Sequence, residues 1–127
     1  MDDFPELEKV IHSAVTKLVP REMEDGSTLA FQHGEKNPFT GWFKHVRETG
    51  ELRSLEEYKN GKPHGLYIYW WKNGRKAEEK NFHDGISHGL WESWYPNGQK
   101  QLEQSVENGK LHGPASRWYS NGQKKDD

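Results

Sequence analysis

Three histidines stand in register. His64, His88 and His112 are 24 residues apart, and each precedes a glycine. Imidazoles at a fixed period are the first place to look for a metal centre or a proton relay. If each period is a β-hairpin, equivalent positions lie two strands apart, about 10 Å at ~4.8 Å per strand. Two ligands on one zinc need nitrogens within roughly 3.5 Å of each other, given Zn–N near 2.1 Å. The column therefore reads as turn residues that pack or cap before a glycine, and no metal is expected. Neighbouring carboxylates, Glu56-Glu57 and Glu78-Glu79, point to opposite faces of a strand and form no acid–base dyad. Lys76, Lys100 and Lys124 form a column that reads as solvated cross-strand charge. The chain has no cysteine, and it carries no nucleophile elbow, phosphate loop or HExxH. No catalytic residue, cofactor or enzyme activity is expected.

The aromatic residues remain. Tyr67, Tyr69, Trp71, Trp91, Tyr95 and Tyr119 are candidates for a partly exposed ladder that grips a partner, because Trp and Tyr supply much of the energy at interfaces. The rival reading is that these rings are the packing of a thin sheet.

The glycines say which elements position them. Gly41, Gly65, Gly89 and Gly113 are 24 apart, as are Gly50, Gly74, Gly98 and Gly122, and so are Gly61, Gly85 and Gly109. Gly34 is an imperfect earlier member, and only Gly26 stands outside the lattice. Such a period marks a repeat. Asn73-Gly74, Asn97-Gly98 and Asn121-Gly122 predict type I′ turns. The column at Gly61, Gly85 and Gly109 predicts a longer turn of about six residues. Strands of about seven residues fit between them. Nothing between turns could serve as a parallel crossover, so the hairpins join as an antiparallel meander. In Leu66–Trp71, alternation puts Leu66, Ile68 and Trp70 on one face and Tyr67, Tyr69 and Trp71 on the other. The second strand of each hairpin, such as Arg75–Lys80, is mainly charged.

At the other end, Phe4, Leu7, Val10, Ile11, Ala14, Val15 and Leu18 follow helical spacing. An amphipathic helix is predicted over 4–18, with Asp3 and Glu6 as a capping box and Pro20 closing it. It reads as a cover for the first hairpin. The rival reading is a segment that binds a partner or a lipid surface, and with Glu6, Glu8 and Lys9 on its polar side it suits anionic lipid poorly. Residues 1–26 are expected to be helix and linker, and 27–127 a repeat domain with units starting near Gly41, Gly65, Gly89 and Gly113. The strand near Arg117–Tyr119 is expected to present an open edge suited to self-association.

Composition agrees with a thin fold. Hydrophobic residues make up 31% and charged residues 30%, which alone would suggest disorder, but aromatics reach 13%. Net charge is −2, which gives no general pull toward nucleic acid. No signal peptide or spanning segment is evident, so the simplest location is cytoplasmic, although a mature secreted chain without its leader would look the same.

Over about residues 31–125 the chain resembles the variant MORN repeat family. The motifs are Asn-Pro-Phe-Thr-Gly (37–41), Tyr-Lys-Asn-Gly-Lys-Pro-His-Gly (58–65), Trp-Tyr-Pro-Asn-Gly-Gln (94–99), Glu-Asn-Gly-Lys-Leu-His-Gly (107–113) and Trp-Tyr-Ser-Asn-Gly-Gln (118–123). The resemblance implies a mainly β fold: an elongated single-layer antiparallel meander of β-hairpin repeats, here with an added N-terminal helix. It also implies a scaffold that binds a protein. Many bacterial members are the antitoxin or immunity component of a toxin–antitoxin pair. The alternative is an attachment module for lipid or cell-wall glycan.

Overall fold

The computed structural model describes residues 7–125. One helix, α1 (Leu7–Ser13), precedes ten strands: β1 (Val19–Glu22), β2 (Thr28–Phe31), β3 (Gly41–Val46), β4 (Leu52–Lys59), β5 (Lys62–Trp70), β6 (Lys76–His83), β7 (Ile86–Ser87), β8 (Gly89–Trp94), β9 (Lys100–Glu107) and β10 (Lys110–Arg117). β1 and β2 pair with each other. The remaining eight form one antiparallel sheet in the order β10-β9-β8-β6-β5-β4-β3, with β7 also on β6. The fold is thus mainly β, a meander of hairpins preceded by a short helix.

The two turn types are the reverse of those expected. Asn60, Asp84 and Asn108 have φ of 51, 48 and 50°, and each is followed by a glycine near +80°. Two successive positive φ values make a type I′ turn, and the flanking pairs Lys59↔Lys62, His83↔Ile86 and Glu107↔Lys110 leave only two residues in each loop. At the other end only Gly74 of Asn73-Gly74 has positive φ. Gly74 N–H donates to Trp71 O, and Trp71 N–H to Arg75 O, which closes a three-residue loop with glycine in the left-handed position. Asn73 keeps an ordinary φ, and its side chain braces the loop. Its Oδ1 accepts from Arg75 N–H at 2.9 Å, and its Nδ2 donates to Pro96 O at 2.8 Å. The same dipeptide makes two turns, and strand register decides which.

Register also sorts the side chains, because directly paired residues share a face. One row runs His45, Ser54, Tyr69, Glu78, Ser93, Leu102, Arg117. The adjacent row, on the opposite face, runs Lys44, Leu55, Ile68, Glu79, Glu92, Glu103, Ser116. This second row changes character along its length. Leu55 and Ile68 are 0% and 1% exposed, and Lys44 on the same face donates to Ile11 O at 2.9 Å, so α1 lies over this end. Beyond that cover the row turns acidic.

The helix is shorter than predicted. Among the described residues it ends at Ser13, while positions 4–6 and the capping box at Asp3 and Glu6 lie outside them. Val15 is drawn off into an isolated parallel bridge with Phe43: its N–H donates to Trp42 O, and its carbonyl accepts from Lys44 N–H. Pro20 does not cap a helix. It lies in β1, whose exposure along its length tolerates a proline. The β1–β2 hairpin thus occupies a stretch expected to be linker, and the expected boundary at 26/27 falls in its turn. Phe31, Phe39 and Phe43 are buried, and the Tyr58 ring lies 6.0 Å from Phe39 and 6.2 Å from Phe43. Burial, and then the neighbouring Glu56, push the Tyr58 phenol up to about 12. Burial likewise raises Glu56, against the hydrogen bond it accepts from Tyr58.

Candidate binding groove

Three strands carry a β-bulge at the same point of the repeat. The register slips between Tyr69↔Glu78 and Trp70↔Lys76, between Ser93↔Leu102 and Trp94↔Lys100, and between His45↔Ser54 and Val46↔Leu52. The extra residues are Ala77, Gln101 and Arg53, spaced by 24. A bulge re-aims a side chain. Ala77 and Gln101 both line a groove of about 490 Å³ on the face of Tyr69 and Trp91.

Small side chains make this hollow possible. Ala77 and Ser93 lie within it, beside Leu102. Tyr69, Trp71, Trp91 and Tyr95 supply rings around it, and Arg117 and Lys125 lie toward β10. Glu78 is the lining carboxylate. It accepts from Trp91 Nε1 at 2.8 Å and sits 3.8 Å from Lys80. At the β4 end, Arg47 and Arg53 stand 5.9 and 5.8 Å from the Tyr69 ring centre. Hydrogen bonding by Arg47, reinforced by Arg53, draws the Tyr69 phenol below its ordinary range.

Four of the six candidate rings therefore share this groove. Tyr67 instead borders a smaller hollow with Glu56 and Phe82. Tyr119 is 52% exposed, with Lys125 over its ring at 5.1 Å. Two of the four also hold the sheet together. Trp71 Nε1 donates to Trp94 O at 3.1 Å, and Tyr95 Oη donates to Trp118 O at 2.6 Å. Arg47, one period earlier, donates to Trp70 O at 2.7 Å. Three chemically different donors thus tie each loop to the next. At the opposite hairpin ends, the N–H groups of Gly61, Gly85 and Gly109 donate to Phe39, Pro63 and Ser87 carbonyls. The two readings of the aromatic column, sheet packing and partner contact, share the same residues.

The opposite face is closed by its own charges. Lys76 meets Glu79 at 2.8 Å, and Lys100 meets Glu92 at 2.5 Å and Glu103 at 3.2 Å. Trp94 has Lys76 and Lys100 at 5.3 and 5.8 Å from its ring centre. Of the lysine column, Lys76 and Lys100 are ion-paired, Lys100 across the strands to Glu92, and Lys124 stands 5.9 Å from the Trp118 ring centre. Of the histidine column, the His88 ring lies 6.5 Å from that of His83. His64 lies within β5, where its Nδ1 accepts from Asp84 N–H at 3.2 Å and its ring neighbours His83 at 4.8 Å. Among the described residues no group of three His, Asp or Glu side chains is placed to hold a metal ion. Glu78 and Glu79 face opposite sides, one bound to Trp91 and the other to Lys76.

The bulge residues and the groove floor escaped the sequence reading. A signal existed: positions 53, 77, 101 and 125 share the 24-residue period yet hold Arg, Ala, Gln and Lys. A position whose residue type changes inside a regular repeat is not set by the turn geometry the repeat shares.

A MORN repeat variant is found at residues 87–108. The match spans one unit of the structure, from the end of β7 through β8, its Asn-Gly loop and β9 to the next type I′ turn. Comparison with curated proteins and with solved structures gave no match. A MORN repeat indicates a repeat-based binding module. Among the described residues no helix is long and apolar enough to cross a membrane.

Proposed function

We propose that this chain is a non-enzymatic module that binds a protein on its groove face, using Tyr69, Trp71, Trp91 and Tyr95 as ring contacts. The observation that supports this is the asymmetry of the sheet. One face is occupied by α1 and by ion pairs, while the other holds a ring-lined hollow floored by Ala77 and Ser93. Rings whose edges are already fixed by hydrogen bonds lose little side-chain freedom on binding, which favours affinity. A stable complex on such a face buries at least ~1,000 Å² in total. Resemblance to the variant MORN repeat extends the reading to an antitoxin or immunity role, in which the bound protein is a toxin and neutralisation is steric.

The test is co-expression with the product of a neighbouring toxin-like gene. Growth should be rescued by the intact chain and not by Tyr69→Ala combined with Trp91→Ala, both chains being folded by circular dichroism. Full rescue by the variant would refute the groove as the interface. Liposome or glycan binding without a protein partner would favour the attachment module instead.

A further inference from the structure

The charges around the groove are arranged unevenly. Arg53 and Arg47 stand at the β4 end beside Tyr69, and Arg117 and Lys125 line the β10 end. Among the described residues, the ion pairs reach none of these four cations. The carboxylate in the groove, Glu78, is already held by Trp91 and Lys80. Two basic ends therefore flank an apolar middle of Ala77, Leu102 and the rings. The geometry points to an extended, acidic segment of a protein partner as the occupant, lying across the strands with carboxylates near both ends and small or apolar side chains between. This rests on the groove face being the binding surface.

Its length follows from the sheet. Arg53 on β4 and Arg117 on β10 are separated by five strand intervals, about 24 Å at ~4.8 Å each. An extended peptide rises ~3.3 Å per residue, so about seven residues span the distance. Cations interleaved with rings could also suit single-stranded nucleic acid, but the ring planes here are not free platforms. Lys80 stands 5.2 Å from the Trp91 ring centre, Tyr69 has two guanidinium groups beside it, and the polar edges of Trp71 and Tyr95 are tied to the next loop. Base stacking needs open ring faces. Side chains entering a hollow do not.

A displayed library of random dodecapeptides, panned on the intact chain and on the Tyr69→Ala, Trp91→Ala chain, tests this directly. Peptides lost with the ring variant should carry acidic residues about five to eight positions apart, the spread set by strand spacing. By fluorescence anisotropy, replacing those acids with Asn or Gln, or using an Arg53→Gln, Arg117→Gln chain, should weaken a selected peptide about fivefold, as expected for partly exposed charge pairs. Raising salt on the unsubstituted chain should act in the same direction, which keeps the test sound if the double variant folds poorly. Ring-dependent peptides without acidic excess would overturn this inference and leave the groove as the binding face. No ring-dependent enrichment would overturn both. An oligo-dT strand binding more tightly than every selected peptide would replace the peptide with nucleic acid.

Discussion

Alanine at position 61 and alanine at position 85 make the same backbone demand but meet different neighbours. Both glycines follow an Asn or Asp in a type I′ turn, and both have φ of 83°. Holding an alanine in the left-handed region costs ~1–2 kcal/mol, and this applies equally at both sites. At Gly85 an added Cβ finds Lys62 at 3.9 Å, an ordinary contact. At Gly61 it meets Leu29 Cβ at 2.8 Å, Pro38 Cβ at 3.0 Å and the Ala30 nitrogen at 3.1 Å. These atoms belong to the N-terminal hairpin and its exit, which dock here through Ala30 N–H to Gly61 O and Gly61 N–H to Phe39 O. All three offenders, two Cβ atoms and a backbone nitrogen, are fixed to the backbone and cannot swing away. Overpacking of this kind adds ~1–3 kcal/mol. Gly85→Ala should therefore cost about 1–2 kcal/mol and Gly61→Ala about 2–5. Urea unfolding of the two variants against the parent measures the difference. Hydrogen exchange locates it, since only Gly61→Ala should expose the Ala30 and Phe39 amides. Equal shifts in midpoint, or unchanged protection at Ala30, would refute the docking geometry.

Three further outcomes follow from the same contacts. Tyr95→Phe removes the bond to Trp118 O at 2.6 Å and should lower stability by about 1 kcal/mol; an unchanged urea midpoint would show that the loop tie contributes nothing. Lys100→Gln leaves Glu92 directly opposite Glu103, so it should destabilise by about 1 kcal/mol, and adding Glu92→Gln should recover most of the loss; additive losses would refute this. Tyr58, held up at about 12 first by burial and then by Glu56, favours the folded state fully below the ordinary phenol value near 10 and loses that contribution as pH rises from 10 toward 12. The stability gap between the parent and Tyr58→Phe should narrow over that window, and a gap independent of pH would contradict the burial of the hydroxyl.

Much of the architecture was legible because the repeat writes it many times over. Eleven glycines on one period leave little choice but hairpins, and alternation along Leu66–Trp71 placed Ile68 and Tyr69 on opposite faces as found. The turn types were misread because Asn-Gly carries the same local preference in both columns. What separates Asn60 from Asn73 is whether the flanking residues pair directly, and that is a property of register, not of a dipeptide. The helix was overextended because Val15 and Leu18 satisfy helical spacing as well as they satisfy contacts made outside a helix. Val15 bonds to β3, and Leu18 lines a hollow with Leu29, Phe43 and Tyr58. Periodicity reports which side chains are buried, not which backbone buries them.

The groove was legible only in part, and the missing part explains why a thin sheet has one at all. Alternation alone gives a flat surface of evenly spaced side chains. A bulge in the second strand of each hairpin turns one additional residue onto the groove face, so the surface there depends on what stands at 53, 77 and 101. Arginine at 53 fills its position and charges it. Alanine at 77 leaves a void, which Ser93 one strand over does not fill, and the neighbouring rings become walls. The repeat thus separates two tasks within each unit. Loop donors such as Trp71 and Tyr95 and the turn glycines maintain the ribbon, while the bulge residue differs from unit to unit, as Arg53, Ala77 and Gln101. Ala77 is only 4% exposed, so exchanging it for Leu should close the groove and also cost ~1–3 kcal/mol of overpacking in a urea unfolding experiment. Truncating Trp71 should instead widen the groove and lower stability through loss of its bond to Trp94 O.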